Sequence, residues 1–113
     1  GKVVLLDFSA YEGKYSPDYN RALGQLYEKY HRQGLEIYQV SIDPNENLWQ
    51  VSADNLPWIC VRDADTTRSR VVLSYNVRSL PTAFLIDRNN VLQQRVTKLS
   101  ELPREIEKLL KQK

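Results

Sequence analysis

Apolar residues along the chain follow two rhythms, one of strands and one of helices. The run "VVLLDF", Val3 to Phe8, is continuous and opens on β-branched residues, which predicts a strand covered on both faces. Behind it, Tyr19, Leu23, Leu26, Tyr27 and Tyr30 recur at helical spacing and define one face. Ser16-Pro17-Asp18 reads as that helix's start, with Ser16 as the cap, Pro17 at the first helical position and Asp18 at the positive end of the dipole. Gly34 is placed to end it in a left-handed conformation. "LEIYQVSID" predicts a second strand with Tyr38, Val40 and Ile42 on one side. Asp43-Pro44-Asn45-Glu46 opens a second helix, with Asp43 expected to cap and Glu46 to reach back. That helix carries Leu48 and Trp49 and fades near Asn55.

The second half is more broken. "LPWICVRD" is short and strand-like or irregular, a polar loop "DADTTRS" follows, and a brief helix is expected around Val71, Val72 and Tyr75, ending at Asn76. "LPTAFLID" is a clear strand, and Asp87-Arg88-Asn89-Asn90 predicts a turn into "VLQQRV", hence an antiparallel hairpin. A last helix presents Leu102, Ile106, Leu109 and Leu110. The order β-α-β-α-(short)-α-β-β-α argues for α/β layers, with the first two strands parallel across a helix and helices on both faces of a four- or five-stranded mixed sheet.

At 113 residues, without internal repeats or linkers, residues 1–113 form one domain. Sixteen basic and fourteen acidic side chains are scattered evenly, so no basic stripe suggests nucleic acid. No apolar run approaches the roughly 20 residues of a membrane span. The chain opens directly into a strand and has no methionine, which suggests a domain excised from a longer precursor, expected to be its C-terminal part, with targeting information upstream.

Candidate chemistry is sparse. One cysteine, Cys60, precludes an internal disulfide, and its neighbours "PWICVRD" suggest a small buried hydrophobe. Ser16 as a nucleophile would need a nearby base, and the one histidine, His31, lies fifteen residues along the same helix, roughly 22 Å away. "EGKYS" lacks the first glycine and the hydroxyl of a phosphate-binding loop, since Phe8 and Tyr15 hold those places. Asp63-x-Asp65 is not completed into a calcium loop, and one His with one Cys gives no transition-metal set, so neither a metal nor a cofactor is expected.

Three stretches carry a family resemblance. "GKVVLLDFSA" is similar to "GKVVLLDFWA", the opening strand of TlpA-like thiol-disulfide oxidoreductases of thioredoxin fold. "LYEKYHRQGLEIYQVSID" resembles their first helix and second strand, and "YNVRSLPTAFLIDRNNVL" their Val-Arg-x-x-Pro-Thr segment and hairpin. The resemblance implies a thioredoxin-like fold with Pro81 in a cis-proline loop. It also exposes a departure. Where the family has "FWASWCGPC", this chain has "FSAYEGKYS", so Gly13 and Ser16 stand at the two cysteine positions, with Lys14 and Tyr15 between them. Without thiolates at the helix start, dithiol exchange has no nucleophile there.

The resemblance places Asp7 at the position of the buried aspartate that accepts protons in redox-active members. With no thiol to serve, its expected role is that of a polar group satisfied by backbone or water. Pro81, with Leu80, falls on a loop that offers backbone groups to a bound peptide in such members, a role that needs no cysteine. Tyr11, Tyr15 and Tyr19 cluster at the turn. Tyr19 is expected in the core, and Tyr11 and Tyr15 are surface candidates beside Glu12 and Lys14. The expectation is therefore a redox-inactive binding or structural module with a protein or peptide partner. By family analogy it would belong to a protein of the bacterial periplasm or cell envelope. The alternative is a thiol-disulfide oxidoreductase or antioxidant-type enzyme that uses Cys60 or thiols outside this stretch.

Overall fold

The computed structural model describes residues 1–11, 13–63, 80–96 and 98–112. The helix expected around Val71 to Asn76 lies outside these residues, as do Glu12 and Asp65. The chain runs β1 (Val3–Ser9), α1 (Ser16–Tyr30), β2 (Leu35–Ser41), α2 (Glu46–Ala53), β3 (Ile59–Arg62), β4 (Thr82–Ile86), β5 (Leu92–Val96) and α3 (Leu102–Leu110). Short 3-10 turns at His31–Gln33 and Leu99–Glu101 lead into β2 and α3.

Among the described residues the sheet has five strands in the order β3-β2-β1-β4-β5. β1, β2 and β3 are parallel, while β4 runs antiparallel to β1 and β5 antiparallel to β4. Side chains alternate across it. On one face Val3, Leu5, Leu35, Ile37, Ala83 and Leu85 meet Leu23 and Leu26 of α1 and Leu102, Ile106 and Leu109 of α3 in the larger core. On the other, Leu6, Phe8, Val40, Ile42 and Phe84 form a second cluster. β2 is therefore buried on both sides, beyond the Tyr38-Val40-Ile42 face read from its pattern, and Tyr38 itself is exposed. α2 contributes no buried residue.

Two expected helix caps are corrected. α1 has Tyr15 at its cap position and no side-chain cap, and Ser16 is instead the first helical residue, buried, with Oγ accepting from Asn20 Nδ2 at 3.3 Å. The turn is already closed by Ser16 N–H donating to Gly13 C=O at 3.0 Å, so the helix begins one residue early. α2 is capped by Asn45, whose Oδ1 accepts from Leu48 N–H at 3.0 Å. Asp43 precedes Pro44, which disfavours helical backbone at that residue, and its side chain turns inward.

Asn90 takes the positive φ (66°) that the hairpin needs, and Asp87 Oδ1 accepts from the N–H groups of Asn89 and Val91. The Leu80–Pro81 peptide bond is cis. Gly34 has φ 114° and closes the turn after α1, donating to His31 C=O at 3.1 Å. A side chain there would be doubly excluded, because the Arg88 guanidinium occupies its place, with Nη1 2.8 Å from where a Cβ would be. Arg88 gathers the chain's separate ends: Nη1 donates to Gly1 C=O (3.1 Å), and Nη2 donates to Gln33 C=O (3.0 Å) and Leu110 C=O (3.2 Å).

One planar fork thus ties the hairpin, the entry to β1, the end of α1 and the last turn of α3. Arg88→Ala is expected to cost about 1–3 kcal/mol in urea unfolding. Arg88→Lys is expected to recover only part of it, since an ammonium cannot span three carbonyls in a plane. An alanine variant as stable as the parent would mean that water satisfies those carbonyls equally well.

Candidate functional site

The face that is apolar at the beginning of β1 and β2 turns polar at their carboxyl ends, where Asp7, Ser9, Gln39 and Ser41 are all buried. Parallel pairing sets Asp7 against Gln39 and Ser9 against Ser41. The carboxyl ends of parallel strands are where α/β sheets commonly build sites, and here the start of α1 lies over them.

Asp7 is fully buried and is held by side chains rather than by the backbone or water expected for it. Ser9 Oγ donates to Oδ2 at 2.8 Å, Gln39 Nε2 donates to Oδ2 at 3.0 Å, and the Tyr19 hydroxyl donates to Oδ1. Its position inside β1, with two strand residues beyond it, leaves its side chain among packed neighbours. All three donors are neutral. Desolvation outweighs them and raises the carboxyl's pKa to about 6.

Gln39 links this acid to the rest of the site. Its Nε2 also donates to Asn20 Oδ1 at 2.8 Å, while its Oε1 accepts from the Tyr11 hydroxyl (2.7 Å) and from Trp58 Nε1 (3.1 Å). Tyr11 is thereby corrected from a surface candidate to a buried one. Its N–H donates to Asp43 Oδ2 at 2.9 Å, and Asp43 is itself bonded by the Ser41 hydroxyl, so both ends of Tyr11 are held inside. Burial pushes the phenols of Tyr11 and Tyr19 far above their ordinary pKa. Gln39, Asn20 and Trp58 were not singled out from the sequence. The available signal was Gln39 itself, a polar residue between Ile37 and Ser41 on the helix-covered side of a strand.

At the degenerate turn, Tyr15 occupies the space a first thiol would need. A Cβ at Gly13 would overlap the Tyr15 ring, 2.8 Å from its Cζ. The ring is held there by its hydroxyl, which accepts from Ala10 N–H at 2.8 Å, and by an edge-on contact with Tyr19 (centroids 6.0 Å apart). Tyr15 and Pro81 come together as walls of a groove of about 360 Å3, floored by Tyr19, Ala83 and Val96. Lys14 is exposed, and Leu80 packs instead against the Phe8–Phe84 cluster on the other face. Glu12 lies outside the described residues.

Cys60, on β3, is half-buried against the larger core, with Sγ 3.6 Å from Trp58 C=O and 3.9 Å from Gln39 Oε1. Burial pushes its thiol pKa up, and the Asp7 carboxyl adds to this against a lowering hydrogen bond with Tyr11. The thiolate needed for exchange is disfavoured there. His31 stacks on Tyr27 (centroids 4.4 Å) and its Nδ1 meets Leu35 C=O, at the far end of α1 from Ser16. Among the described residues no group of three or more His, Cys, Asp or Glu could hold a metal ion, and no helix is long and apolar enough to cross a membrane.

Residues 1–92 match the family model described as Thioredoxin-like, so the chain belongs to the thioredoxin-like family. An uncharacterized thioredoxin-like protein from Bacteroides vulgatus, solved in solution, is 51% identical with a TM-score of 0.89, over 97% of this chain and 72% of that one. The thioredoxin domain of a thiol-disulfide oxidoreductase from Bacteroides vulgatus is 26% identical (TM-score 0.84; 97% of this chain, 80% of that one). A thiol:disulfide interchange protein from a Bacteroides species is 25% identical (TM-score 0.82; 99% and 75%). No curated protein matches. The chain is thus a thioredoxin-like domain related to thiol-disulfide oxidoreductases, and with Cys60 as its single cysteine it has no Cys-x-x-Cys pair.

Two outcomes follow from this geometry. An acid with a folded pKa of about 6 against an unfolded 3.8 binds more protons in the native state, so its contribution to stability is full below pH 4 and falls as pH rises to 6. Against Asp7→Asn, which stays neutral, the parent should lose on the order of 3 kcal/mol between pH 4 and pH 7. Urea unfolding of both proteins across that range measures it, and a constant difference would refute a buried, raised carboxyl. Separately, Gly13→Cys/Ser16→Cys should oxidise poorly while the Tyr15 ring is in place, and closure should improve when Tyr15→Ala is added. Mass spectrometry after mild oxidation distinguishes the cases, and equal closure with and without Tyr15 would show that its ring is no obstacle.

Proposed function

We propose that this domain is a redox-inactive binding module, working through the face where relatives carry their dithiol, in a protein of the bacterial cell envelope. The observation that carries this reading is the replacement at the turn. Both thiol positions are non-nucleophilic, Gly13 and Ser16, yet the turn's backbone hydrogen bonds and its junction with the Pro81 loop are intact. An aromatic wall, Tyr15, stands where a reactive group would, and it opens on an apolar groove of a size suited to a side chain of a partner. Lys14 beside it is exposed and available for contact. The envelope location rests on analogy with bacterial thiol-disulfide proteins of the same fold.

The competing enzyme reading would need thiols outside this stretch or Cys60, whose thiol is half-buried and held in its protonated form. Reduction of insulin by dithiothreitol separates the two. The domain should leave the rate at its uncatalysed value, and Cys60→Ser should change nothing. An acceleration that Cys60→Ser abolishes would overturn the binding-module reading.

A further inference from the structure

The groove beside Tyr15 does not end at the degenerate turn. A second chamber of about 340 Å3 follows along α1, walled by Ala22, Leu26 and Tyr30 on one side and by Ser100 and Pro103 on the other. Leu99 borders both chambers and is itself partly exposed, an apolar ridge between two apolar hollows. The two chambers form one seam between α1 and the turn that enters α3. Its ends carry opposite charge: Asp18 lines the first chamber and Lys29 the second. Each is exposed and held in a long surface pair, Asp18 with Arg21 at 3.5 Å and Lys29 with Glu107 at 3.9 Å, and Lys29 Nζ also lies 5.2 Å from the centre of the Tyr30 ring; an incoming charge can displace such contacts.

We propose that this seam is a two-chamber docking groove for an extended segment of a partner protein. The segment would place one apolar side chain on each side of Leu99, with a basic residue toward Asp18 and an acidic residue toward Lys29. Helical rise sets the spacing. The α1 residues lining the two chambers are centred about eight positions apart, or roughly 12 Å along the axis. An extended peptide covers that distance in about four residues, an even number, so both apolar side chains point the same way. The charges of the groove select the sign of the flanking residues, and the apolar walls supply the contact area. This inference rests on the binding-module reading, to which it adds the chemistry of the partner.

The test is an NMR titration of the 15N-labelled chain with the blocked nonapeptide Lys-Ser-Leu-Ser-Thr-Ser-Leu-Ser-Glu, in which both charges share the face of the leucines. Amide shifts should spread across Tyr15, Ala22, Lys29 and Leu99, and a peptide with serine in place of both leucines should not bind. Asp18→Lys should weaken the first peptide by about tenfold and switch the preference to a version with glutamate at both ends. Asp18 is exposed, so this variant is expected to fold, and its spectrum reports whether it does. Equal binding of the leucine and serine peptides, no binding at millimolar concentration, or an unchanged preference in Asp18→Lys would overturn the proposal. Shifts confined to Lys14, Tyr15 and Thr82, next to Pro81, would also overturn it while leaving the binding-module reading in place. Catalysed insulin reduction would overturn that reading instead.

Discussion

A carboxyl group buried at the carboxyl end of β1, and bonded by neutral donors, constrains the rest of the site. Asp7 cannot reach water, so every side chain around it must either donate to it or serve one that does. Tyr19 donates from α1, Ser9 from the same strand, and Gln39 from the neighbouring strand. Gln39 then has its carbonyl free to accept from Tyr11 and Trp58 and its remaining N–H free for Asn20. A single amide thus fixes the direction of hydrogen bonding through the cluster, since its NH2 must face the acid and its oxygen the donors. The start of α1, the turn and the β2–β3 region are held to one another through it. Such a network is costly if half satisfied, and rigid when complete.

Against that background, the loss of the thiols leaves no void at the turn. Tyr15 lies in the place of a side chain at position 13, and Gly13 permits this because it has none. The Tyr15 hydroxyl meets Ala10 N–H and its ring packs edge-on against Tyr19, which in turn bonds Asp7. The replacement is therefore coupled to the buried acid in two steps. Restoring cysteines alone would place a side chain where that ring now sits.

What the sequence revealed, and what it hid, divides along the range of the interactions. Strands and helices from Val3 to Asn55, the Asp87–Asn90 hairpin and the Leu102–Leu110 stripe were legible because periodicity and turn chemistry are local. The degenerate pair at Gly13 and Ser16 was legible from motif resemblance. The direction of Tyr11 was not, because it depends on Asp43 and Gln39, 32 and 28 residues away. Ser16 and Asp43 have the chemistry of caps, and local rules assigned them so. Ser16 is drawn into the helix by the turn's own backbone bond, and Asp43 is turned inward by Tyr11 N–H and Ser41. Gln39 became part of the site only once the parallel register put it beside Asp7.

The same distinction explains why the turn can keep its shape without its chemistry. Its conformation depends on contacts that never involved a thiol: Gly13 C=O with Ser16 N–H, Tyr11 N–H with Asp43, and Ala10 N–H with the Tyr15 hydroxyl. A reactive pair at a helix start is an addition to such a frame, dependent on it for thiolate stabilisation, whereas the frame does not depend on the pair. With Gly13 and Ser16 at these positions the turn carries no dithiol, and the groove's walls stay in position. The Pro81 side of that groove is held by the sheet through β4, and the Tyr15 side by α1. A surface fixed from two independent elements is suited to recognition, because a partner has little ordering to impose when it docks.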